Sequence, residues 1–520
     1  MDDAKTTSGE SGRSYKRLFL NTLTFAIGSF GSKLLVLVLV PLYTSSLTPG
    51  EYGTVDLITQ TANLLIPIFT LTVSEAALRF GLDARELSSR REVYTLCLRI
   101  LTVGLFALLL VMPAISMLGY LEGYAPLLYI YVWTSSLRQL NMTFVRAVEK
   151  VRLFALDGVL CTLTMLLLNI LLLPGLKLGI LGYLLAIILS DALSSVFLFF
   201  AGGLYRFVGL KIDRGQLRPM LKYCVPMIPA TVLWLVTSVS DHFMVTYFHG
   251  EELNGILVVA YKIPMILTTV FTMFSQAWNM SAISENSSSE RERLYTDIFS
   301  MSCSFMFILA AGILLFIKPV LWLWVDGEYF IAYKYAPILT VATVFTCFNV
   351  FLGSVYIAQK KTKHTFYTSL AAGLSNIVLN LLLIPRFGIF GAATATLISY
   401  LGAFLYRLID TRRLIRFDYS RPRLIISTLL ILIMSVIVAL DFSAGLRYGL
   451  LAALFLAVTA VNIGELIRVA LIVAPERIKN RLKPLGRLIS RQGGLEDKNG
   501  SISAYAANTS PVSATCLRST

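Results

Sequence analysis

Apolar residues fall in long runs along this chain, and the polar residues gather between them. Each run covers roughly 19–27 residues, enough to cross a bilayer as a helix at ~1.5 Å rise per residue. The runs are 18–43, 54–80, 93–116, 124–146, 153–173, 179–203, 221–248, 255–283, 294–316, 333–358, 364–384, 387–409, 424–440 and 446–472. The pattern predicts an all-α polytopic membrane protein of about fourteen spans. Lys and Arg concentrate on alternate connections. Arg85, Arg90 and Arg91 follow the second span, Lys150 and Arg152 the fourth, and Lys360, Lys361 and Lys363 the tenth. The intervening stretches 44–53, 117–123 and 249–255 carry no Lys or Arg. The positive-inside rule then puts both termini in the cytoplasm of a cell whose cytoplasmic membrane holds the chain.

Composition agrees. The chain is 56% hydrophobic, with mean hydropathy +0.73 and 14% charged residues, too little polar surface for a soluble protein of 520 residues. The net charge of +15 sits in the basic connections and the tail, so it points to anionic membrane lipids as partners and not to nucleic acid. Residues 1–17 are polar and form a cytoplasmic segment, and the first apolar run is too long for a signal-peptide core. Five of the six cysteines lie inside spans and Cys516 lies in the tail, without metal-ligand or disulfide spacing. Residues 475–491 place Ile478, Leu482, Leu485 and Leu488 among basic residues, which predicts an interfacial helix weakened by Pro484. From 492 the composition is that of a disordered tail.

A repeat organises the spans. Asn169-Ile-Leu-Leu-Leu-Pro174 with Gly179-Ile-Leu-Gly182 matches Asn380-Leu-Leu-Leu-Ile-Pro385 with Gly388-Ile-Phe-Gly391. The units close the fifth and eleventh spans. An offset of six spans preserves orientation, so the repeat is parallel. It predicts two six-helix lobes, 18–210 and 221–418, two added spans in 424–472, and a basic tail over 473–520. Chance likeness between two Pro/Gly turns is the alternative. Parallel repeats suit a transporter whose lobes rock about a site between them.

Ionisable residues at membrane depth are costly and face a cavity or a partner. The cations are Lys33, Arg99, Arg138 and Lys262, with Arg79 and Arg146 nearer the cytoplasmic ends. The acids are Glu75, Asp191 and Asp241, with His242 adjacent and Asp157 near a cytoplasmic end. Cations at graded depth suit a lipid diphosphate crossing between faces. The alternative is internal pairing, of Lys33 or Lys262 with Asp241 and of Arg138 with Asp191. Arg79 and Arg146 could instead snorkel to the interface. Asp191, Asp241 and Glu75 are the candidates for ion coupling. His242 reads as a polar residue near the outer interface. Pro226, Pro229 and Pro264 are hinge candidates, or static kinks. Gly28, Gly31 and Ser32 leave a small face on the first span. No P-loop, Gly-x-Ser-x-Gly, His-Glu-x-x-His or Cys-x-x-Cys is present, so no enzyme activity, cofactor or metal is expected.

The stretches NTLTFAIGSFGSKLLVLVLVPLYTSSLTPGEYGTVDL at 21–57 and PIFTLTVSEAALRF at 67–80 resemble the polysaccharide (O-antigen or capsule repeat-unit) flippases of the multidrug/oligosaccharidyl-lipid/polysaccharide exporter superfamily. YKIPMIL at 261–267 and QAWNMSAISE at 276–285 are similar to that family's eighth span. SDHFMV at 240–245 resembles the end of its seventh, where Arg or a similar residue often stands in place of His242. The resemblance covers most of 18–420. It implies two six-helix lobes about a central cavity and transfer of an undecaprenyl-diphosphate-linked oligosaccharide to the outer leaflet. It also implies that Lys33, Arg79, Arg138 and Lys262 line the cavity. A polysaccharide polymerase and glycosyltransferases are the implied protein partners. A lipid II flippase or a drug/cation antiporter of the same superfamily are the nearest rival readings. A membrane polymerase is the rival from another class, and the short external connections argue against it.

Overall fold

The computed structural model describes residues 37–473, except 85, 122, 210–213, 285–287, 360 and 441. Lys33, Gly28, Gly31, Ser32 and the 475–491 segment lie outside the described residues. All regular structure among the described residues is helical. The first half contains α1 (Leu37–Ser46), α2 (Pro49–Phe69), α3 (Val73–Asp83), α4 (Leu87–Ile115), α5 (Ala125–Ala147), α6 (Val151–Ile170) and α7 (Gly179–Ala201). A short linker helix, α8 (Arg214–Cys224), leads to α9 (Met227–His249), α10 (Glu251–Lys262), α11 (Met265–Ser284), α12 (Ser288–Trp324), α13 (Ala336–Ala358) and α14 (Thr362–Arg412). Helices α15 (Arg421–Ala439) and α16 (Ala444–Val473) complete it.

Local chemistry explains the breaks. Thr48 and Glu51 form a capping box that starts α2, and Pro49 stands in its first turn, where no N–H is needed. The chain then bends by 50° between α2 and α3, with Leu71 and Thr72 both at φ 53° four residues after Pro67. A second bend, of 44°, separates α10 from α11 at Pro264. Pro226 caps α9 and separates it from α8, while Pro229 sits in the first turn of α9, where a proline is tolerated.

The two repeat units share one backbone device. Gly179 has φ 54° and Gly388 has φ 53°, a region that L side chains resist. A Cβ on Gly182 would lie 3.0 Å from the Leu172 carbonyl oxygen, and one on Gly391 would lie 2.8 Å from the Ile384 nitrogen. In α14 these atoms are seven residues apart, which a straight helix would hold far from each other. The helix therefore doubles back at Gly388, and Asn376 in one arm donates to Thr396 Oγ1 in the other at 3.4 Å.

Nine helices are long and apolar enough to cross a membrane, or up to eleven with the bent pairs α2–α3 and α10–α11, among the described residues. The expectation of about fourteen differs for three reasons. Only the end of the first span is described, α14 holds two predicted spans, and α5 is too polar to pass. Large apolar side chains lie exposed along the helices, as in Val103, Phe106, Leu110, Leu382 and Leu323, the last 83% exposed. That is the surface a lipid-facing bundle requires. The chain is a multi-pass membrane protein.

Two apolar cores lie inside. One draws on residues 58–224 and includes Tyr94, Phe144 and Leu198. The other draws on residues 245–458, with Phe299, Phe345, Phe348 and Phe351 within it, and it also takes Leu39, Tyr43, Leu47 and Tyr52 from α1, α2 and the turn between them. Helix α13 is the central post of this second core, while α16 lies at its edge.

Candidate functional site

Two buried polar clusters stand out, one within the first half and one between the halves. Ser135, Arg138 and Asn141 recur every three residues along one face of α5. Arg138 meets Asp191 of α7 (Nη1–Oδ1 3.3 Å) and Asp157 of α6 (Nη2–Oδ2 4.0 Å), and its Nε donates to Ser194 Oγ at 3.0 Å. Ser194 donates in turn to Asp157 Oδ1 at 2.6 Å, and Ser135 donates to Asp191. One turn on, Asn141 donates to Ser195 Oγ at 2.9 Å and accepts from Tyr94 OH at 2.7 Å. One guanidinium therefore faces two carboxylates in a cluster that also holds five hydroxyl and amide side chains, those of Ser135, Ser194, Ser195, Tyr94 and Asn141. Asp157 is fully buried, and among the described residues its Oδ2 has no hydrogen-bond partner, only the Arg138 charge at 4.0 Å. Arg138 keeps a quarter of its side-chain surface exposed, so it can still meet an anion from outside the cluster.

The second cluster joins α2 to α9 and α10. His242 Nδ1 lies 2.8 Å from Asp56 Oδ2 and 3.0 Å from Asn254 Oδ1. Asn254 is fully buried and donates to the Gly53 carbonyl at 3.1 Å and to Asp56 Oδ2 at 3.3 Å. Asp241 accepts from Tyr261 OH and from the His242 backbone at 3.1 Å, and the Tyr261 ring stacks on His242 at 5.3 Å. Lys262 is half-buried, and its charge acts on Asp56.

Just beyond this cluster the helix backbones touch. A Cβ on Gly53 would overlap the Glu251 carbonyl, and one on Gly255 would overlap that of Pro49. Tyr43, Tyr52, Tyr183 and Tyr329 close the same end, with Tyr43 and Tyr183 ring centroids 4.8 Å apart and Tyr329 OH donating to the Leu47 carbonyl at 3.0 Å. The halves thus close tightly at the end that holds 44–53 and 249–255. At the opposite end the linker α8 rests on α3, where Tyr223 meets Phe80 edge-on at 6.0 Å and Thr72 donates to the Cys224 carbonyl at 3.4 Å.

The expected residues are therefore not gathered in one place. Arg138 and Asp191 form the internal pair that stood as the alternative to a cavity role. Lys262 and Asp241 do not pair with each other: Asp241 is held by Tyr261, and the Lys262 charge faces Asp56. His242 is not a surface polar residue but a buried bridge between halves. Arg79 lies on the exposed side of α3 with Asp83 at 3.3 Å, Glu75 is exposed on the same helix, and Arg99 on α4 is half-buried and engaged. Pro264 stands at a bend, and Pro226 and Pro229 stand at the α8–α9 junction. Sequence reading missed Asp56, Asn254 and the place of Asp157. Asp56 lies near the start of a predicted span, and Asn254 lies in a connection close to Glu251 and Glu252, where a polar residue is ordinary. The signal that was available is spacing: Gly53 and Asp56 lie one turn apart on α2, and Asn254 lies two turns from Tyr261 and Lys262 on α10.

The fold is shared with solved transporter structures. It is similar to an inward-facing multidrug resistance MATE family transporter of the MOP superfamily (15% identity, 77% of this chain, 98% of that one, TM-score 0.62). It is similar also to the lipid II flippase MurJ in an inward closed conformation (17% identity, 86% of this chain, all of that one, TM-score 0.61). An outward-facing MATE transporter aligns with a TM-score of 0.54 (17% identity, 78% of this chain, 96% of that one). Comparison with curated protein sequences finds no match. Residues 18–279 match the family of polysaccharide biosynthesis proteins, and the chain belongs to that family.

Proposed function

We propose that this protein is a flippase that carries an undecaprenyl-diphosphate-linked oligosaccharide across the cytoplasmic membrane, for assembly of a surface polysaccharide. The observation that carries the reading is the one-ended closure of the halves. The 44–53/249–255 end is sealed by backbone and tyrosine contacts, and by charge bias it faces outward. A structure sealed outside loads from inside, which is where a lipid-linked precursor is made. The two lobes, 18–210 and 221–418, would rock about the bends at Pro264 and at Pro226–Pro229. Arg138, with Lys33, Arg79 and Lys262, supplies cationic charge for the diphosphate. Asp191, Asp241 and Glu75 are the carboxylates available for ion coupling. An apolar groove of about 390 Å³ beside the Pro264 bend, lined by Ile263, Ile266, Phe305, Leu309, Phe316 and Phe455, suits an isoprenoid chain. A polymerase and glycosyltransferases would act on either side of the transfer step.

One observation favours a second reading, lipid II as substrate: the likeness to MurJ extends over 86% of this chain against 77% for the MATE transporter. The sidedness of lipid-linked sugar in cells lacking the protein separates the two. Carrier-linked oligosaccharide held on the inner leaflet, with loss of surface polysaccharide, supports the first. Normal surface polysaccharide with stalled peptidoglycan moves the assignment to lipid II. Altered drug sensitivity with neither defect overturns both.

A further inference from the structure

The cross-half cluster has a proton arithmetic of its own. Asn254 donates through Nδ2 to the Gly53 carbonyl, so its Oδ1 is an acceptor. Asp56 Oδ2 is an acceptor as well. His242 Nδ1 faces both at 3.0 and 2.8 Å, so Nδ1 carries a hydrogen in either protonation state. The proton that comes and goes belongs to Nε2. Its arrival turns a neutral imidazole–carboxylate hydrogen bond into an ion pair across the seam between halves. The groups around the imidazole are Asp56 from α2, Asp241 from α9 itself, and Tyr261 and Lys262 from α10. Tyr400 of α14 lies beside Asp241, and Tyr183 of α7 lies beside Asp56. The linker α8 contributes none there, since its Lys222 and Tyr223 lie exposed at the other end.

We propose that His242 is a proton-binding latch: with Nε2 protonated it fastens α9 to Asp56 of α2 and keeps the 44–53/249–255 end shut, and loss of that proton lets the end open. With His242 neutral, Asp56, Asp241 and Lys262 leave one uncompensated negative charge in a buried seam, and protonation cancels it. The glycine backbone contacts and tyrosine rings of the seam carry no charge themselves. The proposal rests on the alternating-access reading above.

The test uses the full chain in lipid nanodiscs, with spin labels at Met117→Cys and Leu323→Cys, exposed positions near the ends of α4 and α12. Electron–electron distance distributions are read between about pH 5 and about pH 9, a range across which a histidine changes charge. In the parent protein the longer distance is expected to gain about tenfold in population as pH rises. His242→Gln should abolish that dependence, and His242→Arg, whose charge is permanent, should hold the short distance at every pH. Asp56→Asn should populate the long distance throughout. An unchanged pH response in His242→Gln, or a pH-invariant distance in the parent protein, overturns the latch. Neither result touches the flippase reading, which stands or falls on the sidedness of lipid-linked sugar. His242→Arg keeps the test decisive if the Gln variant does not fold.

Discussion

Gly53→Ala is a sharp perturbation of the seam. The Cβ would lie 2.9 Å from the Glu251 carbonyl carbon, closer still to its oxygen, and 3.0 Å from the Gly255 nitrogen. All three are backbone atoms, so no side chain can swing aside. To reach ordinary contact α2 and α10 must part by something on the order of 1 Å, which strips packing from both helices. Overpacking of this kind costs about 1–3 kcal/mol, less the roughly 1 kcal/mol that alanine returns to a helix interior. Gly50→Ala is the internal control, because a Cβ there meets nothing within 4 Å. Thermal unfolding in one detergent, followed by loss of the monodisperse elution peak, should place Gly53→Ala several degrees below Gly50→Ala. Export of surface polysaccharide should fall in the first variant and not in the second. Equal midpoints and equal export would refute the claim that these helices seal the end through their backbones.

Four further predictions follow from the same geometry. Arg138→Ala should abolish export while the protein remains inserted and folded, as judged by surface polysaccharide and membrane-fraction yield; wild-type export removes Arg138 from the mechanism. Asp157→Asn should cost less stability than Asp191→Asn, because Asn keeps the acceptor for Ser194 while Arg138 stands at 4.0 Å from Asp157 and 3.3 Å from Asp191; paired thermal melts decide the order. Gly179→Ala and Gly388→Ala should each cost about 1–2 kcal/mol, since both residues sit at positive φ, and matched melts would show the repeat acting as one device. Arg79→Ala should change stability by no more than about 0.5 kcal/mol, because its pair with Asp83 is exposed, so any loss of export in that variant reports on ligand and not on folding.

The fold was largely legible because its main signals are local. Apolar run length marks helices, and the Asn–Pro–Gly units marked both sharp turns, where Gly179 and Gly388 adopt the same backbone. The Arg138–Asp191 pair was legible as one of two readings, because a buried charge needs either a cavity or a partner. What stayed hidden depends on which helices touch. Asp56 and His242 are 186 positions apart in the sequence, and no periodicity links α2 to α9. Their meeting is decided by Gly53 and Gly255, two residues whose importance lies in the side chains they lack.

The polarity of α5 bears on how the protein is made. With Arg138, Gln139 and Asn141 along its length, it falls outside the helices apolar enough to cross a membrane by themselves. Its Arg138 and Asn141 are engaged by Asp191, Ser194 and Ser195 of α7 and by Tyr94 of α4. Helix α7 is synthesised some fifty residues later. During that interval α5 must wait at the insertion machinery or the membrane surface without its partners on α7. A substitution at Asp191 would therefore be felt first in biogenesis, as a helix left stranded and a chain sent to proteolysis, before any substrate is met.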